Sequence, residues 1–262
     1  GSAGCGKSAL IDEVRKLAAV NRIYFFCGKH QEDQENTPYS ALIEALNGMV
    51  KQILSESSDR ISIWKKTFAR ALGENGRVIA DLLPSIELVT GKQPPVPELP
   101  AEASQNRLVY TFLKLLQAIA SAGKGLVLAI DDIQWMDSAS QGIITNMVIN
   151  RDINRLMLIL SYRAENRDGD PQPHILPGLL RQKGVPLKEI HVAPLGYEDT
   201  KTCINRIVPL DENDSVQACD FIYKKTCGNP LYISQIIKSL NESGALNFQP
   251  GTGWHFDPAK AD

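Results

Sequence analysis

No run in the sequence approaches the ~18 consecutive apolar residues that a membrane-spanning helix needs, so no helical span is expected. The opening GSAGCGKSAL has neither the long apolar core nor the cleavage pattern of a secretory signal. The five cysteines (Cys5, Cys27, Cys203, Cys219 and Cys227) form no CxxC pair and are odd in number. That argues against a disulfide framework and for free thiols in a reducing, cytoplasmic setting. The four histidines (His30, His174, His191 and His255) are scattered, with no metal-ligand spacing. There is no lysine or arginine run, and 28 basic against 30 acidic residues leave a net charge of -2. An overall attraction to nucleic acid or to an anionic membrane is therefore not expected. Internal repeats, low-complexity tracts and kinase motifs of the HRD or DFG kind are also absent, as is an initiator methionine. The chain reads as a domain from a longer protein.

What is present is enough for a proper core: 43% of the 262 residues are hydrophobic and 22% are charged. A first helix is expected from about 7 to 19, with Leu10, Val14, Leu17 and Ala18 on one face. The run from Arg22 to Gly28 reads as a buried strand. Residues 39–90 read as mostly helical, and TGKQPPVPELP (90–100) as a proline-rich surface connection. A helix over 104–121 precedes the apolar run LVLAI (126–130). A helix over 138–150 precedes LMLIL (156–160), and one over 174–183 precedes a short strand EIHVA (189–193). Continuous apolar runs alternating with helices predict an α/β fold with a doubly wound parallel sheet covered on both faces. The texture changes near Pro194. Residues 197–208, 214–226 and 230–242 read as helices without intervening strands, and ALNFQPGTGWHFDP as a β-hairpin. The expected organisation is a nucleotide-binding domain over 1–194 with a helical insertion over 39–121, a helical lid over 195–244, and a hairpin over 245–262.

The assignment to nucleotide binding rests on residues 1–8. Gly1-Ser2-Ala3-Gly4-Cys5-Gly6-Lys7-Ser8 fits G-x-x-x-x-G-K-[ST] at every fixed position. Glycines let the loop turn successive N–H groups onto phosphate oxygens, and the following helix presents its positive end to the same anion. Lys7 is the cation for the β- and γ-phosphates, and the Ser8 hydroxyl is a hard ligand for Mg²⁺. Asp131 and Asp132 end LVLAI, at the carboxyl edge where open α/β sheets bind ligands. Asp131 is the candidate outer-sphere Mg²⁺ ligand and Asp132 the candidate base or orienter of the attacking water. Asp137, before S-A-S and an apolar segment, reads as a helix cap rather than a catalytic acid. Arg163, after LMLIL-Ser161-Tyr162, is placed either to sense a γ-phosphate or to make an ordinary surface ion pair. Gly228-Asn229-Pro230 is by itself only a turn opening a helix.

Taken together and in order, GSAGCGKS, FFCGKHQEDQENTPYSALIEAL, GKQPPVPEL, LVLAIDDIQWMDSAS, LSYR, VAPLGYED and KKTCGNPLYISQIIKSL closely resemble the signal-transduction ATPases with numerous domains, the STAND class of AAA-related P-loop ATPases. The match is to the ATPase module of very large multi-sensor signalling proteins. These carry a serine/threonine kinase-like domain before it and a GAF–histidine kinase portion after it. The resemblance implies a P-loop sheet whose first strand lies upstream of Gly1, a helical lid, and a winged-helix domain that this chain does not reach. It also implies that ATP and Mg²⁺ are the ligands. It makes Gly228, Asn229 and Pro230 contacts on the adenosine side, with Arg163 in the position of the strand-end sensor arginine. The sequence departs from the family pattern at Cys227, where a second glycine is usual, and at Leu231-Tyr232, where two phenylalanines are usual. His30 lies in a stretch that matches less well, and no chemistry is drawn from it.

The function expected is an ATP-binding, slowly hydrolysing switch that acts on neighbouring signalling domains of the parent chain, with nucleotide-dependent self-association as a further mode. The alternatives are a nucleotide-binding scaffold without turnover and a DNA-associated AAA ATPase. The charge of -2 and the absence of basic runs weigh against the latter.

Overall fold

The computed structural model describes residues 1–32, 37–123, 125–149, 153–163 and 175–261. Among these, one compact unit comprises residues 8–163 and 175–188, and a second comprises 1–7 and 189–261.

The larger unit is built on a parallel sheet of three strands, β1 (Tyr24–Lys29), β2 (Leu126–Asp131) and β3 (Leu156–Leu160), in the order β1-β2-β3. β2 is buried at every position, as its unbroken apolar composition requires of a central strand. The register sets Lys29 opposite Asp131 and Ile130 opposite Leu160. Because the strands are parallel, their carboxyl ends share one edge. Lys29, Asp131 and the chain leaving β3 are gathered there.

Helix α1 (Lys7–Val20) precedes β1. Between β1 and β2 come α2 (Ser40–Leu54), α3 (Ser58–Leu72), α4 (Gly76–Leu82), α5 (Glu87–Thr90) and α6 (Ala101–Ala122). In the proline-rich connection before α6, residues 91–100 carry neither helix nor strand, and Arg107 ties it down by donating to the Pro97 carbonyl at 2.8 Å. α7 (Ser138–Ile149) lies between β2 and β3, and α8 (Ile175–Gln182) follows. The core runs from Phe26 and Leu128 on the sheet to Met49, Trp64, Phe68 and Phe112 on the helices. β1 and α2 meet very closely: a Cβ on Gly28 would lie 1.7 Å from the Ala41 carbonyl oxygen.

The smaller unit packs α9 (Tyr197–Ile207), α10 (Glu212–Thr226) and α11 (Pro230–Glu242) around Ile204, Ile222, Ile233 and Leu240. The antiparallel pair β4 (Leu246–Gln249) and β5 (Gly253–Phe256) closes the same core through Leu246 and Phe256. α10 ends at Cys227 with φ 48°, a left-handed position that glycine takes without strain, which accounts for the glycine usual there.

Two expectations change. Residues 189–193 form no strand; they are largely exposed, Ile190 at 72%. An extended run becomes a strand only when a neighbour pairs with its backbone, and none of the described strands does so. The buried face of α1 is Ile11 and Ala18, with Val14 half-buried, whereas Leu10 and Leu17 are 50% and 62% exposed. With so few apolar residues, two arcs of the helix satisfy the same period. The expected helix limits at 150 and 174 fall outside the described residues. No helix among the described residues is long and apolar enough to cross a membrane. The five cysteines are free thiols.

Candidate functional site

The loop over residues 1–7 depends on its glycines. Gly4 and Gly6 have φ of 74° and 100°, a region that side chains rarely enter. A Cβ on Gly4 would also lie 2.7 Å from both Asn229 Oδ1 and Leu231 Cβ. The Lys7 ammonium donates to the carbonyls of Ser2 at 2.7 Å and Gly1 at 3.0 Å, inside the curve of its own loop. Cys5 is buried beneath it, and Gly1 packs against the Val192 carbonyl.

The GNP turn holds this loop from the other side. Asn229 is the N-cap of α11, its Oδ1 accepting from Leu231 N–H at 3.1 Å. Its Nδ2 donates to the Ala3 carbonyl at 2.8 Å. The Leu231 N–H also reaches the Gly4 carbonyl, at 3.3 Å. Gly228 accepts from Leu195 N–H at 2.9 Å, so closely that a Cβ there would meet the Leu195 oxygen at 1.9 Å. Pro230 is the first residue of α11, where its missing N–H costs nothing. Both polar ends of the Asn229 side chain are thus engaged by protein groups, and the turn shapes the loop.

At the carboxyl edge of the sheet, Ser8 Oγ donates to Asp131 Oδ2 at 2.7 Å. The other carboxylate oxygen of Asp131 accepts from Ser161 Oγ. Asp131 is 4% exposed. Burial pushes its carboxyl up, but the hydroxyls of Ser161 and Ser8 and the Lys29 ammonium outweigh that and hold it below the usual carboxylate value. Ser8 and Asp131 together offer two hard oxygens, a donor set that suits Mg²⁺ and not a softer metal.

Asp132 leaves β2 in the left-handed region, φ 56° and ψ 47°, which aspartate tolerates better than most residues. Its Oδ2 pairs with Lys29 Nζ at 2.7 Å, and its Oδ1 accepts from Gln134 Nε2 at 2.9 Å. Lys29 Nζ lies 3.4 Å from Asp131 Oδ2 as well. Burial works against the charge on Lys29, but Asp132 and Asp131 prevail and lift its pKa above the ordinary value. Gln134 Oε1 in turn accepts from the Arg163 N–H at 3.2 Å, which fixes the backbone of Arg163 three residues beyond β3. Asp137 caps α7, accepting from Ser140 N–H at 2.8 Å, as its sequence context indicates.

Three residues of this arrangement were not singled out for chemistry from the sequence: Lys29, Ser161 and Gln134. Ser161 and Lys29 each stand at the carboxyl end of an apolar run, which is the only local signal they carry. His30, 1% exposed, donates its backbone N–H to the Asp131 carbonyl, and its Nε2 has no partner among the described residues.

The chain resembles known proteins over more than half of its length. The family described as "AAA ATPase domain" matches residues 1–159. The hybrid signal transduction histidine kinase G of Dictyostelium discoideum is 39% identical over 145 residues, 55% of this chain. The chain spans about 4% of the length of that protein.

Proposed function

Because the chain belongs to the AAA ATPase domain family, we propose that it is a P-loop ATPase module that binds MgATP, hydrolyses it slowly, and acts as a switch on the signalling domains of a larger protein. The observation that carries the reading is the 2.7 Å bond from Ser8 to Asp131, across 123 residues of sequence. It joins the hydroxyl of a phosphate-loop motif to the carboxylate of a strand end, the pairing that a Mg²⁺-nucleotide site needs. The signalling context is supported by the likeness to a hybrid histidine kinase. STAND-class membership is supported by the DDIQWMD, APL and GNP segments, and the multi-sensor kinase group within it by GKQPPVPEL.

In this reading the loop amides of residues 4–8 hold the phosphates of ATP, with Lys7 exchanging its bonds to the Gly1 and Ser2 carbonyls for phosphate oxygens. Ser8 and Asp131 would hold Mg²⁺, which would supply positive charge to offset that of the phosphates. Asp132 orients the attacking water and takes its proton. Arg163 supplies a planar fork for the γ-phosphate. The residues of the GNP turn keep the loop in shape from the lid. ATP then shifts the balance between two states of the module, and the neighbouring domains or a second copy read that shift.

A scaffold without turnover is the second reading, favoured by the occupied Asp132 carboxylate, which already has Lys29 and Gln134 as partners. Calorimetry and phosphate release separate the two. Lys7→Ala should abolish MgATP binding; unchanged affinity would remove the P-loop reading. The wild-type chain should release phosphate in the steady state, and Asp132→Asn should stop the release while binding persists. Binding with no release by the wild-type chain leaves the scaffold.

A further inference from the structure

The geometry points to Lys29 as a positioning residue: we propose that its ammonium holds the Asp132 carboxylate and offsets the second of two adjacent acids, so that the site takes one divalent cation, at Asp131 and Ser8. The proposal rests on the nucleotide-binding reading above and extends it to a residue outside the P-loop and strand-end acids.

Three observations carry it. First, the root of Lys29 is fixed. It is the last residue of β1, in register with Asp131, and its backbone N–H donates to Glu44 Oε2 at 2.8 Å. The preceding Gly28 is pressed onto the Ala41 carbonyl, so the strand end has no room to slide along α2. Second, the ammonium spans both acids, 2.7 Å from Asp132 Oδ2 and 3.4 Å from Asp131 Oδ2. Third, the two acids are provided for unequally. Asp131 has the hydroxyls of Ser8 and Ser161, whereas the only cation paired with Asp132 among the described residues is Lys29.

Remove that cation and two neighbouring carboxylates face one edge with a single hydroxyl-bound site between them. Like charges repel, so Asp132 turns away from the position in which it can orient water. The extra negative potential also draws divalent cations more strongly and repels metal-free nucleotide. A half-exposed ion pair adds little to global stability, so the effect belongs to the site and not to the fold.

Lys29→Met keeps the aliphatic stem and removes the charge. Calorimetry of ATP binding, once with excess Mg²⁺ and once with EDTA, gives the ratio of the two affinities. The ratio should rise about tenfold in Lys29→Met and return to within about threefold of wild type in Lys29→Arg. Phosphate release should fall about tenfold in Lys29→Met, and the double variant with Asp132→Asn should release no more than Asp132→Asn alone, since Lys29 acts through the carboxylate that this second change removes. An unchanged ratio, an equal loss of both affinities, or failure of arginine to rescue would overturn the proposal. A wild-type chain that binds ATP without turnover removes the hydrolysis reading alone, because the affinity ratio still decides the role of Lys29. A wild-type chain that binds no ATP overturns both.

Discussion

Three side-chain donors converge on Asp131. Ser8 and Lys29 approach Oδ2, Ser161 approaches Oδ1, and burial keeps water from replacing any of them. A carboxylate held this way keeps its charge and its direction, which is what a metal ligand requires. Asp131→Asn preserves the shape and removes the charge. ATP affinity in Mg²⁺ should fall by about tenfold or more, while affinity in EDTA stays within about threefold, because only the metal-linked part of binding uses the carboxylate. Isothermal calorimetry in the two buffers reads the difference. An equal loss in both would make Asp131 a structural acid that organises Ser8 and Ser161. Asp132 differs from its neighbour in every respect that matters. It sits in a left-handed turn and is held by the Lys29 ammonium and the Gln134 amide. Such a group can hold a water.

At the scale of elements, the sheet edge is placed by close contact. Gly28 lets β1 approach α2 until a Cβ would overlap the Ala41 carbonyl, and that approach sets where Lys29 begins. Gly28→Ala should therefore destabilise the larger unit by about 1–3 kcal/mol, since the obstruction is backbone and cannot rotate away. Gly48 in α2 is the control. A Cβ there meets nothing within 4 Å, and alanine should raise stability by about 0.5–1 kcal/mol through helix propensity. Urea unfolding of the two variants should move in opposite directions; movement in the same direction would mean that β1 and α2 do not pack as described. In the smaller unit the element that matters is the start of α11. Its cap residue, Asn229, spends one end of its amide on the helix and the other on the Ala3 carbonyl, so the capping of one helix and the curve of the glycine loop are one structure.

For the whole molecule, nucleotide is a stabiliser by mass action. A ligand that binds only the folded chain and is present at a hundred times its Kd adds about 2.7 kcal/mol to unfolding. Thermal melts of the wild-type chain should accordingly shift upward in saturating MgATP, and those of Lys7→Ala should not. A wild-type melt indifferent to MgATP would leave the phosphate loop without a ligand. The net charge of -2 gives no general pull toward polyanions, so the shift should depend on nucleotide and not on added DNA.

What the sequence by itself determined is whatever a short window can specify. The loop motif of residues 1–8 needs particular residue types at fixed spacing, and α1 begins where that motif ends. The apolar runs at 126–130 and 156–160 could be read as strands because a parallel sheet favours unbroken hydrophobicity, but only the first is buried throughout; β3 is half-buried, with Met157 54% exposed. Asp137 could be read as a cap because capping is a matter of three residues. Only the tertiary structure decided the rest. Lys29, Asp131 and Ser161 come together through strand register, a pairing between segments more than a hundred residues apart for the first two. No periodicity contains that information. The same physics denied residues 189–193 a place in a sheet: an apolar run has strand propensity locally, but its hydrogen bonds must come from a neighbour. It also chose Ile11 and Ala18 over Leu10 and Leu17 as the buried side of α1, because amphipathic period fixes the spacing of a face and only the surface packed against it fixes the direction.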